Sequence, residues 1–264
     1  MLDNRKNNAN LIEVFSAIQG EGLNVGTRQI FIRFALCDLR CHFCDSAHTW
    51  TIPTQCYVEQ IPGERDFRTY PNPVSLTQLL QWIEHHNILN LHDSVSITGG
   101  EPLLQADFLQ AFLPQLKQLT QLPVYLETGG HRPQKLELIL PYLDLVGMDI
   151  KLPGVSGEEK WQAHYLFLQK CIRASAKVFI KLIISEQTNP EELQKAAQLV
   201  AEIHKDTPVF LQPVTPLNNL EKSLNAKLIS PPSPGQVLAW QGLMKQCLSQ
   251  VRVVPQTHKM IGQR

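Results

Sequence analysis

The chain has 264 residues, enough for one α/β barrel or two small domains and for a core that needs no disulfide staples. Lysine plus arginine and aspartate plus glutamate stand at 24 each, so no net field draws nucleic acid or an anionic membrane surface, and neither partner is expected. The first residues, MLDNRKNNANLIEVFSAIQGEG, are polar and acidic without an apolar run, and no later stretch reaches the roughly 18 apolar residues of a membrane span; the chain reads as cytoplasmic.

In chain order, the first β-branched run is IFIRFA at 30–35. It leads directly into FALCDLRCHFCDSAHTW, where Cys37, Cys41 and Cys44 fall within eight positions. The other cysteines, Cys56, Cys171 and Cys247, are scattered, so three disulfides are a poor reading and clustered metal or redox use is the better one. Three thiolates on one loop can hold three corners of a 4Fe-4S cube, leaving one iron open to a small chelating molecule. Zinc with a Cys₃His set is the competing reading, since His42, Asp45 and His48 lie nearby.

Residues 50–76, rich in proline and charge and without a period, read as a lid or insertion. From Ser75 onward the rhythm is strand, helix, strand: SVSIT at 94–98, PVYLET at 123–128, DLVGMDI at 144–150, KVFIKLII at 177–184 and PVFLQPV at 208–214. Ser75 with Gln78 has capping-box spacing, and Asn189, Pro190 and Glu192 mark another helix start. SPPSPG at 230–235 leads into a last helix over 236–249. Six units predict an incomplete parallel (β/α)6 TIM-like barrel with an N-terminal cluster-binding loop, in one domain over 1–264; an open doubly wound sheet fits the same rhythm. Both put the functional loops at the strands' carboxyl ends.

SITGGEP at 96–102 ends a strand in two glycines, which permit close backbone approach, and Glu101 offers a carboxylate to an amine or to ordinary helix capping. ETGG at 127–130, MDIKLP at 148–153, Lys181 and Gln212 end later strands; Glu127 or Asp149 paired with Lys151 or Lys181 in a satisfied polar layer is the plain alternative.

The CxxxCxxC triad followed by TGGEP resembles the radical S-adenosylmethionine superfamily. The resemblance implies a cluster on Cys37, Cys41 and Cys44, S-adenosylmethionine on the open iron, Phe43 beside its adenine, Thr98, Gly99, Gly100 and Glu101 at its amino end, and polar contacts from Glu127 and Thr128. IQGEG, FIR, the CDS ending of the triad and PQTHK near the tail closely resemble the 7-carboxy-7-deazaguanine synthase family. That likeness implies a carboxylated pterin substrate read by Gln19, Glu21 and Arg33, Mg²⁺ on Ser46, and His258 and Lys259 closing over the site. It further implies flavodoxin or ferredoxin as electron donor and a homodimer. The chain departs from the family pattern at Leu36 and Asp38, in LCDLRC, and in ETGG where ETNG is common. Glycyl-radical activating enzymes share the triad and the GGEP turn, and a zinc-stapled binding module is the non-catalytic rival.

Overall fold

The computed structural model describes residues 6–174, 176–216 and 229–263. Twelve strands lie among them: β1 (Asn8–Ala9), β2 (Leu11–Ile18), β3 (Arg28–Phe34), β4 (Gln55–Glu59), β5 (Phe67–Pro71), β6 (Val74–Ser75), β7 (Ser94–Gly99), β8 (Val124–Thr128), β9 (Leu145–Asp149), β10 (Lys177–Ile184), β11 (Val209–Pro213) and β12 (Val251–Val253). The main helices are α1 (Leu76–Asn87), α2 (Ala106–Thr120), α3 (Pro133–Leu136), α4 (Pro153–Ser156), α5 (Trp161–Arg173), α6 (Pro190–His204), α7 (Pro234–Lys245) and α8 (Thr257–Met260).

Strands β3, β7, β8, β9, β10, β11 and β12 run parallel in that order, and β2, β4 and β5 extend the sheet beyond β3. The six predicted strands are therefore present as neighbours in one parallel arc, with β12 as a seventh. Residues of one parity, such as Val95, Ile97, Leu126, Val146, Ile180 and Leu211, pack outward in the main core beneath the helices. Those of the other parity face the inside of the arc. There Tyr125, Phe179 and Phe210 form a small aromatic cluster, and Glu127, Asp149, Lys181 and Gln212 lie above it around a cavity. Gly147 makes room for this filling: a Cβ there would stand 2.5 Å from the Tyr125 hydroxyl and 2.8 Å from Phe179.

The local start signals hold at the N-caps, although Gln78 and Glu192 direct their side chains to Gln81 and Gly154 and close no capping box. Ser75 Oγ accepts from Gln78 N, Asn189 Oδ1 accepts from Glu191 N with Pro190 following, and Ser233 with Gln236 completes a capping box. The last long helix runs over Pro234–Lys245 and not 236–249, because Ser233 caps it early and β12 must form after it. The expectation that the lid or insertion at 50–76 lacks regular structure needs correction. Gln55–Glu59 and Phe67–Pro71 pair antiparallel as a hairpin, and Glu13↔Tyr57 and Val14↔Val58 attach it to β2. Pro53, Pro62, Pro71 and Pro73 hide the strands by crowding their ends, while the hairpin's edge position tolerates them.

Candidate active site

At the carboxyl ends of the parallel strands lies a cavity of about 610 Å³, and all sixteen residues predicted for the site line it or pack against its wall. Cys37, Cys41 and Cys44 stand together at its mouth as free thiols. Their loop is fastened on both sides: Leu36 N donates to Thr49 O, His42 N to Ser156 O after α4 begins, and Arg40 N to a Glu158 carboxylate oxygen. Leu36, where the family pattern has glycine, takes the left-handed φ of 82° to turn the chain toward the cysteines. Burial pushes the Cys37 thiol up to about 11 and Cys44 to about 12, so a cationic inorganic centre is what would hold them as thiolates. Among the described residues no three His, Cys, Asp or Glu side chains converge as they would around one bare ion. A cube takes each thiolate on a different iron and needs no such common point.

The paired glycines, besides lining the cavity, permit a close approach within the fold. A Cβ on Gly99 would sit 2.2 Å from Phe34 O, and one on Gly100 would sit 2.3 Å from Leu36 O and 2.9 Å from Cys37 Cβ. They let the end of β7 press against the start of the cysteine loop. Glu101 is fully buried: one carboxylate oxygen accepts from Leu103 N and Thr128 Oγ1, the other from Thr128 Oγ1 and Gly129 N. Capping is thus part of its work, and its second task is to join the ends of β7 and β8. Phe43 lines the same end of the cavity, with Lys151 Nζ 5.2 Å from its ring centre. Lys151 is placed by its pair with Asp149 at 2.6 Å and by His164 of α5, whose Nε2 accepts from Lys151 N and whose Nδ1 lies 3.0 Å from Gly130 O. Burial depresses His164 to about 4, so its ring is neutral, donating to Gly130 and accepting from Lys151.

The deeper end is a buried charge network. Lys181 reaches Glu21 directly and Asp149 at 3.5 Å. Burial opposes the lysine's charge, yet Asp149, Glu21 and Glu127 hold it well above its ordinary range. Glu21 keeps a lowered carboxyl despite burial because of Lys181 and Gln256, whereas burial and the nearby Glu21 raise Glu127. Gln19 donates to Glu127 at 2.6 Å, while Thr98 Oγ1 and Ser96 Oγ approach the same carboxylate at 3.4 and 3.5 Å. Arg33 donates through Nε to Glu13 at 2.8 Å, lies over Phe15 and lines the cavity. Gln212 Oε1 is buried in the wall with no protein partner among the described residues.

The tail closes this end. Thr257 N donates to Gly20 O, and His258 packs so closely on Gly20 that a Cβ there would stand 2.1 Å from its ring. Gln256 donates to both Glu21 (2.8 Å) and Asp45 (3.0 Å), and Lys259 pairs with Asp45 at 2.7 Å. Asp45 in turn accepts from Ser46 Oγ at 3.1 Å. Burial opposes ionisation of Asp45, but Lys259 and these hydrogen bonds hold its carboxyl well below the usual range. Glu13 and Gln256 carry no binding role in the sequence reading, and Asp45 enters it only as a neighbour in the zinc alternative. The available signal is a lone acid, Glu13, at an inward position of the apolar β2 strand.

An arc of parallel strands with a thiol triad at its mouth defines a radical S-adenosylmethionine enzyme, and the profile described as Radical SAM superfamily matches residues 31–183. That class implies a 4Fe-4S cluster and S-adenosylmethionine, and the triad fits them. The chain belongs to this superfamily and, within it, to the 7-carboxy-7-deazaguanine synthase family. It is 42% identical over 261 residues to a 7-carboxy-7-deazaguanine synthase of Geobacter sulfurreducens, covering 98% of this chain and 99% of the relative. A synthase of the same name from Thermococcus kodakarensis is 33% identical over 224 residues, covering 78% and 84%. The crystal structure of QueE from Escherichia coli shares the fold with a TM-score of 0.54 at 18% identity, covering 94% of each chain. No described helix is long and apolar enough to cross a membrane.

Proposed function

We propose that the chain converts 6-carboxy-5,6,7,8-tetrahydropterin to 7-carboxy-7-deazaguanine with release of ammonia, a Mg²⁺-dependent step of 7-deazapurine (queuosine) synthesis. Flavodoxin or ferredoxin is the proposed electron donor and a homodimer the proposed assembly. The carrying observation is Arg33, whose Nε is fixed by Glu13 and which lines the same cavity as the cysteine triad. Such a fork suits a planar carboxylate. When bound, the reduced cluster and S-adenosylmethionine supply one-electron cleavage and abstraction of a hydrogen atom from the substrate.

The residues do the rest by orientation. Phe43, Thr98, Gly99, Gly100, Glu101, Glu127 and Thr128 wall the cofactor end. Gln19 and Glu21 offer a mixed donor and acceptor edge to the pterin ring, and the unpartnered Gln212 oxygen calls for an N–H donor. Ser46 supplies a hydroxyl for Mg²⁺, with substrate oxygens and water for its other positions, while Lys259 and Gln256 occupy one oxygen of the neighbouring Asp45. His258 and Lys259 hold the tail over the site and keep water out.

The test is anaerobic reconstitution with iron and sulfide, EPR spectra with and without S-adenosylmethionine, then incubation with the carboxypterin, a reductant and graded Mg²⁺. A cofactor-sensitive cluster signal, a product of the expected mass and dependence on Mg²⁺ support the proposal. A cofactor-sensitive cluster without product rejects the substrate, and turnover indifferent to Mg²⁺ rejects the role of Ser46.

A further inference from the structure

The loop between the first two cysteines carries a carboxylate, Asp38, that is gripped from a neighbouring strand end. Arg132 donates to its Oδ2 at 2.6 Å, and His131 Nε2 stands 3.0 and 3.1 Å from its two oxygens. Both partners follow β8 in the turn that Glu101 holds through Thr128 and Gly129. The other ring nitrogen of His131 faces Glu101 at 3.7 Å. The Asp38 and Arg132 side chains are 36% and 28% exposed, so the pair is partly shielded from water.

We propose that Asp38 and Arg132 form a charge-balanced positioning pair that tunes the reduction potential of the cluster carried by Cys37, Cys41 and Cys44, alongside the nearer charges of Glu101 and Lys151. Asp38 is covalently next to Cys37, so its charge lies in the ligand loop itself. A negative charge there opposes addition of an electron to the cluster, and a positive charge favours it, more strongly where water is partly excluded. Arg132 cancels the field of Asp38 while tying the loop to β8. Arg40, which donates to Cys37 O at 2.8 Å, adds a second cation on the same loop. The inference needs the cluster but not the pterin, so it is independent of the substrate proposed above.

The experiment reconstitutes the full chain and four variants, Asp38→Asn, Arg132→Met, Arg132→Lys and the double variant Asp38→Asn with Arg132→Met. Iron and sulfide per chain are measured first, then the midpoint potential at one pH by EPR-monitored redox titration without S-adenosylmethionine. Asp38→Asn is expected to shift the potential upward and Arg132→Met downward, at unchanged iron content. The double variant returns toward the parent value, and Arg132→Lys stays close to it. Unchanged potentials in both single variants, shifts in the same direction, or loss of iron in both that the double variant does not repair would overturn the pair's electrostatic role. A parent protein that takes up no cluster removes the cluster assignment itself, an outcome the iron analysis alone reveals.

Discussion

Replacing Lys181 by Met tests the charge network under the site. The lysine is 8% exposed and lies between Glu21, 12% exposed, and Asp149, 15% exposed, with Glu127 also acting on it. Methionine keeps the bulk and removes the only cation that touches both carboxylates among the described contacts. Removing one member of a buried ion pair costs about 3–5 kcal/mol, because the remaining charge has lost water and partner alike. At about 2–4 °C of Tm per kcal/mol for a chain of this order, the loss is about 6–20 °C. The sign with pH is also fixed. In the variant the crowded carboxylates take up protons more readily, so its deficit relative to the parent shrinks as pH falls from 8 toward 6. Thermal unfolding of parent and variant at matched iron content, at both pH values, measures this. Adding Glu21→Gln should recover part of the loss. A deficit below 2 °C at pH 8, or one that widens as pH falls, would refute the argument.

Burial holds His164 and His92 at about 4 when folded, below their ordinary value of about 6.5, so the stability tied to their neutral forms is present above pH 6.5 and lost as pH falls toward 4. Urea midpoints at pH 7.5, 6 and 5 should fall in that order, and a constant midpoint would contradict the assignment. Gly147→Ala should cost about 1–3 kcal/mol through contact with Tyr125 and Phe179, and combination with Tyr125→Phe, which removes the unpartnered hydroxyl, should recover part of it in a thermal melt. Gly100→Ala forces a methyl against Leu36 O and Cys37 Cβ, so iron retained after reconstitution should drop while the far-UV spectrum is kept; full iron loading would sink this reading of the glycine.

The parallel arc was legible because β-branched outward positions repeat in every strand, and the thiol triad because three cysteines share one loop. The β4–β5 hairpin was not, since edge strands endure the prolines and charges that make a sequence look irregular. The clasp of Gln256 and Lys259 on Glu21 and Asp45 joins positions more than 200 residues apart, and no local pattern encodes such a meeting. The glycines of TGGEP were visible as close-approach residues, but which surface they approach depends on the neighbouring strand. Asp38 stood out only as a departure; its meaning needed His131 and Arg132 brought across from β8.

The aromatic trio of Tyr125, Phe179 and Phe210, with Gly22 packed onto Phe179, stops the cavity from below. Among the described residues the cavity is therefore reached from the strand ends. If the proposed substrate and S-adenosylmethionine both enter there, the one that sits deeper arrives first and departs last. Under the proposed function the two ligands bind in a fixed order, and only the last product to leave should inhibit competitively, against the ligand that binds first.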